Sequence, residues 1–113
     1  MKCFVLSRDL MFSSQASGAA TQANFEPQTV GASSDVSADA EGVTIVDLST
    51  PGLDVDSVIT GLAAGNTKVI AVGPHVHGEK LEAAQAAGAH YVLTKGQAHR
   101  ELATVLKRIA DGS

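Results

Sequence analysis

Residues 43–52, Val-Thr-Ile-Val-Asp-Leu-Ser-Thr-Pro-Gly, constrain this chain more than any other stretch. Val43, Ile45, Val46 and Leu48 put apolar side chains on both faces of an extended segment, the pattern of a central strand covered on both sides. A single carboxylate, Asp47, ends the run, and Ser49 to Gly52 supply turn chemistry directly after it. A charge in that position is expected at the rim of a sheet rather than inside it. What surrounds Asp47 therefore decides the function.

On either side of this strand the pattern alternates between short apolar runs and amphipathic segments. Val55, Val58, Ile59 and Leu62 fall at i, i+3, i+4 and i+7, one face of a helix that Asp54 can cap and Gly65 can close. A buried strand at 68–72 follows, then a helix at 78–87 with Leu81 and Ala84 inward and Gly88 as its stop. A strand at 90–94 leads into a last helix carrying Leu102, Val105, Leu106 and Ile109. Upstream, residues 2–6 make a strand. Asp9 is then placed to cap a helix through about Asn24, with Met11 or Phe12, Ala16, Ala19, Ala20 and Ala23 on its inner side. Residues 28–32, after Pro27, make an edge strand, and the small polar stretch 33–41 makes one or two helical turns or a loop.

This alternation, with right-handed crossovers, predicts an α/β fold: one doubly wound, parallel five-stranded sheet with helices on both faces and a second helix that is short or missing. With 113 residues the chain supports one core, so residues 1–113 are read as a single domain. Functional residues of such sheets gather at the carboxyl ends of the strands, which places Ser7, Arg8, Asp47, Gly73 and Lys95 along one crevice and His90 at the opposite end.

At this point the residues resemble the receiver domains of bacterial response regulators over essentially the whole chain. Val46-Asp47-Leu48-Ser49-Thr50-Pro51-Gly52-Leu53-Asp54 is similar to the family's phosphoacceptor segment, with Asp47 in the acceptor place. Ala87-Gly88-Ala89 followed by Leu93-Thr94-Lys95 is similar to its last strand, ending on the site lysine. The resemblance implies the strand order 2-1-3-4-5 of the flavodoxin-like receiver topology. It also implies phosphoryl transfer onto Asp47, through a divalent metal held by carboxylates together with a lysine and a hydroxyl.

The chain departs from that pattern at most of these points. The family's acidic pair after the first strand falls on Ser7 and Arg8, with Asp9 adjacent, and the Ser49 carbonyl remains as a further metal contact. The hydroxyl residue ending the fourth strand falls on Gly73. The aromatic switch position falls on Val92, with Tyr91 one place earlier and so on the opposite face, and Lys95 is followed by Gly96 where the family usually has proline. A site of Asp47, Lys95 and Arg8 sums to a formal +1, so a dication facing Arg8 gains little and Asp47 is expected in an ion pair. Mg²⁺ binding is expected to be weak or absent, and no other cofactor is expected. An Asp47 phosphoryl group with Arg8 standing in for metal charge is the rival reading.

Other chemistry has thinner support. His75 and His77 follow the fourth strand near the same rim as His99, but no tightly spaced third ligand makes them a metal site with Asp47. Neither Gly-x-Gly-x-x-Gly nor Gly-Lys-Ser/Thr opens a helix, and no Ser-His-Asp or Cys-His arrangement stands out. Cys3 reads as a buried thiol. A net charge of −4 argues against nucleic acid and anionic membrane as direct partners. No apolar run approaches membrane-spanning length and the N-terminus is too short for a signal-peptide core, so a cytoplasmic location is the default expectation.

The expected function is that of a degenerate, stand-alone receiver-like signalling domain. It acts by contact with a signalling protein, a histidine kinase or another regulator, and is not an enzyme. By family analogy the contact face is formed by the fourth helix (residues 78–87 here), the fifth strand and the last helix, offering Glu79, Tyr91, Arg100 and Lys107. An active receiver that catalyses its own phosphorylation on Asp47 is the alternative. A small flavodoxin-like enzyme or metal binder is the third reading.

Overall fold

A computed structural model describes residues 2–36 and 42–112. Five strands, β1 (Lys2–Leu6), β2 (Glu26–Val30), β3 (Gly42–Asp47), β4 (Thr67–Gly73) and β5 (Tyr91–Thr94), form one parallel sheet in the order β2-β1-β3-β4-β5. Four α-helices connect or follow them: α1 (Leu10–Gln22), α2 (Val55–Ala63), α3 (Gly78–Ala86) and α4 (Lys95–Ala110). Between β2 and β3 the described residues hold only a 3-10 turn at Ser33–Asp35; residues 37–41 of the stretch expected as turns or loop lie outside the described residues.

Strand alternation sorts the core into two layers. Cys3, Val5, Val43, Ile45, Ile70 and Val72 pack against Phe12, Ala16 and Ala20 of α1 and Leu102, Val105 and Leu106 of α4. Phe4, Leu6, Val46, Val69 and Ala71 pack on the other face against Ile59 and Leu62 of α2 and Ala84 of α3. Of the alternatives for the inner side of α1, Phe12 is buried and Met11 is 84% exposed.

Several boundaries differ from the sequence expectation. β2 begins at Glu26 and contains Pro27, two residues before the strand expected at 28–32; it pairs with β1 alone, and an edge strand tolerates a residue without an N–H. His90 lies outside β5, yet it completes the ladder: its N–H donates to the Val69 carbonyl at 2.9 Å and its Nδ1 accepts the Val69 N–H at 3.0 Å. Gly42 opens β3 at φ +120°, and a Cβ there would run into the Lys2 carbonyl opposite it. α4 begins at Lys95 because Thr94 and Gln97 close a capping box: Thr94 Oγ1 accepts the Gln97 N–H at 3.1 Å and Gln97 Oε1 accepts the Thr94 N–H at 2.8 Å.

Candidate functional site

Asp47 has the parity of Val43 and Ile45, so its side chain leaves the end of β3 toward the layer of α1 and α4. There it is fully buried, 0% exposed, and not held at an open rim as the sequence suggested. Burial is possible because both oxygens are occupied by donors. Oδ2 accepts the Ser7 hydroxyl at 2.7 Å. Oδ1 accepts the Ser49 N–H at 3.0 Å and the Ser49 hydroxyl at 2.6 Å, and lies 3.2 Å from Lys95 Nζ. Ser7 is polarised in turn, since its Oγ accepts the Asp9 N–H at 3.1 Å. Burial pushes the Asp47 carboxyl upward, but the hydrogen bonds from the Ser49 and Ser7 hydroxyls and the Ser49 N–H, with the charge of Lys95, outweigh it and leave the carboxyl below its ordinary value.

Lys95 comes from the first position of α4, and its Nζ lies 4.2 Å from the centroid of the Phe12 ring on α1. One ammonium thus joins the carboxylate of β3 to the aromatic face of α1. The Ser49 contacts were legible as an Asp-x-Ser turn, in which a carboxylate accepts from the backbone two residues on. The Phe12 contact has no comparable signal, since it depends on how α1 lies against α4.

The structure brings Ser7, Asp47 and Lys95 together and separates the other residues expected beside them. Arg8 is exposed and makes no ion pair with Asp47; it lines another crevice with Leu6, Gly31 and Thr50. The group of Asp47 and Lys95 is formally neutral, not the +1 expected with Arg8 included. Asp9 does cap α1, its Oδ1 accepting the Met11 N–H at 2.9 Å and the Phe12 N–H at 3.2 Å. Gly73 faces the α2–α3 layer, where an added Cβ would sit 3.2 Å from Leu48 Cβ, so strand alternation turns it away from Asp47.

The four candidate contact residues lie on α3, β5 and α4. Glu79 and Arg100 are exposed on α3 and α4. Tyr91 packs against the α1–α4 layer and lines a crevice with Lys68, His90 and Ile109 at the amino end of the strands, while Val92 packs on the α2–α3 layer. Lys107 borders Ala23, Asn24 and Phe25 at the end of α1.

A divalent metal does not fit the donor set. Where a pair of carboxylates would be needed the chain supplies the Ser7 hydroxyl and the outward Arg8, and both oxygens of Asp47 are already engaged. Among the described residues no three His, Cys, Asp or Glu side chains converge as metal ligands, His75, His77 and His99 included. Cys3 is fully buried, and burial pushes its thiol up to about 12, which removes it as a nucleophile.

No protein-family model matches the sequence, and no curated protein matches it. Solved structures do match. A BeF3-activated DrrB receiver domain aligns with a TM-score of 0.81 at 20% identity over 97% of each chain. The fold is that of response-regulator receiver domains. A response regulator receiver domain protein from Clostridium thermocellum aligns with a TM-score of 0.80 at 16% identity, over 98% of this chain and 94% of that one. The receiver domain of the sensor histidine kinase PA1611 from Pseudomonas aeruginosa, with a magnesium ion coordinated in its active site cleft, aligns at 0.76 and 18% identity over 95% and 94%. On the receiver fold, β3 and β5 deliver Asp47 and Lys95 to the same end of the sheet, and the end of β1 delivers a hydroxyl to the Asp47 oxygen it faces.

Proposed function

We propose that the chain is a receiver-like signalling module that acts by protein–protein contact, without Mg²⁺-dependent phosphorylation of Asp47. The observation that carries this reading is the Ser7 hydroxyl 2.7 Å from Asp47 Oδ2, a neutral donor where a metal-binding carboxylate would be required. An oxygen already accepting a hydrogen bond inside a fully buried carboxylate is a poor nucleophile. Asp47 then serves as an anchor that fixes β1, the turn after β3, and Lys95. Partner contact finds support in Leu10 and Met11, 85% and 84% exposed side by side at the start of α1 and bordering Lys95 and His99. The partner is a signalling protein, a histidine kinase or another regulator.

A second reading, an active receiver phosphorylated on Asp47, draws on the Lys95 ammonium 3.2 Å from Asp47, since transfer also needs a cation there. Intact mass after incubation with acetyl phosphate and Mg²⁺ separates the two. The first reading expects unchanged mass. A gain of one phosphoryl group, absent in Asp47→Asn, establishes the second and overturns the first.

A further inference from the structure

A second crevice, of about 290 Å³, opens at the carboxyl ends of β1, β2 and β3 on the side of Asp47 from which Arg8 departs. It lies between the strand that leads outward to β2 and the strand that leads the other way to β4. Connections diverge at such a point and leave a gap in which open parallel sheets bind small molecules. We infer that this crevice binds a small molecule carrying a single carboxylate on a short, partly apolar body.

The lining supplies each half of that ligand. Leu6, Leu53 and Val58 give an apolar floor, and Gly31 and Gly52 leave the mouth wide, since a Cβ added at either would meet nothing within 4 Å. Arg8 is exposed on the rim, and no carboxylate of the described residues lies within ion-pair distance of its guanidinium. The one acid in the lining, Asp54, is committed elsewhere: Oδ1 accepts the Ser57 N–H at 3.3 Å and Oδ2 the Ser57 hydroxyl at 3.0 Å. Thr50 forms part of the wall, 8% exposed, and its hydroxyl has no hydrogen-bond partner within the protein.

Charge selects the ligand class. Arg8 and Asp54 together leave the crevice formally neutral, so a monoanion paired with the planar guanidinium leaves a net charge of −1 and a phosphate dianion −2, and the like-charge cost against Asp54 is smaller for the monoanion. The volume limits the ligand to a short organic acid. None of this depends on whether Asp47 accepts a phosphoryl group, because Asp47 is not part of the lining.

The test is titration of the isotopically labelled protein with 3-hydroxybutyrate, with 3-hydroxybutyramide as the uncharged match and with inorganic phosphate, read from backbone amide shifts. The carboxylate should give saturable shifts confined to Gly31, Ala32, Gly52 and Leu53, with a Kd of about millimolar order, and the amide and phosphate should bind at least about tenfold more weakly. Arg8→Gln, an exposed change that leaves the core intact, should abolish the shifts. Tighter binding of phosphate overturns the ligand class. Absence of saturable shifts, shifts scattered over the surface, or shifts unaltered by Arg8→Gln overturn the site itself.

Discussion

Asp47 carries a full charge in a position with no access to water, and four donor contacts from three residues make that tolerable. Removing any one donor leaves the carboxylate under-compensated, so Ser7→Ala should lower unfolding free energy by about 2 kcal/mol, the usual range for a hydrogen bond to a charged group. Urea denaturation checks it, and a change below a few tenths of a kcal/mol would show that water replaces the hydroxyl. The same contacts set a pH dependence. The folded carboxyl is below its ordinary value, so the unfolded chain binds the proton first as pH falls. The stabilisation from Asp47 is complete above the unfolded value near 4 and disappears as pH drops through the lower folded value. Stability followed below pH 5 should therefore fall less steeply in Asp47→Asn than in the parent. Of this cluster the Ser7–Asp47–Lys95 association was legible from strand ends alone. The true place of Arg8 was not, because residues after a strand are aimed by loop geometry that no periodicity encodes.

At the scale of elements, caps and close approaches decide where each strand and helix begins. Asp9 and Asp54 could be read as helix caps because a carboxylate just before an amphipathic run has one evident use. Thr94-Lys95-Gly96-Gln97 fits the capping-box pattern too, and it explains why α4 starts on the site lysine. Gly42 is different: its need appears only once β1 and β3 are in register and the Lys2 carbonyl faces it. Gly42→Ala combines a left-handed φ with a backbone collision, and should cost about 3 kcal/mol or more, visible as a large fall in the urea midpoint. A neutral outcome would mean that the β1–β3 register is wrong at that end. His90 sets the other edge of the sheet. Burial and the neighbouring Lys68 hold its imidazole below the ordinary histidine value, and its Nδ1 must stay unprotonated to accept the Val69 N–H. The unfolded histidine gains its proton first, so this contribution is full above about pH 6.5 and is lost as pH falls through the folded value. Hydrogen exchange at Val69 should accelerate as the pH is lowered from 7 to 5, after correction for intrinsic rates, and His90→Ala should remove that pH dependence.

For the whole molecule, a parallel sheet covered by helices on both faces followed from alternating periodicities, because those patterns are imposed by burial on both faces, whereas the strand order followed from the resemblance to receiver domains. Function is less legible at this scale, since the receiver fold brings the strand ends together whether or not the residues on them hold a metal. Binding can be read as stability: a dication that binds only the folded state stabilises it by an amount that grows with the logarithm of its concentration over its dissociation constant, and so raises the unfolding temperature. The parent, with Ser7 against Asp47 and Arg8 turned outward, should show no Mg²⁺-dependent rise. Ser7→Asp with Arg8→Asp places a new carboxylate, that of residue 7, beside a buried one, so in chelator the double variant should unfold at lower temperature than the parent through like-charge repulsion. Adding Mg²⁺ should then recover part of that loss, and about 2.7 kcal/mol is available at one hundred times the dissociation constant. Ser7→Asp alone should retain most of the response, because of the two substituted positions only residue 7 hydrogen-bonds to Asp47. Recovery that required residue 8 would place Arg8 at the Asp47 site after all, and Mg²⁺ stabilisation of the parent itself would mean that the hydroxyl of Ser7 yields to a metal.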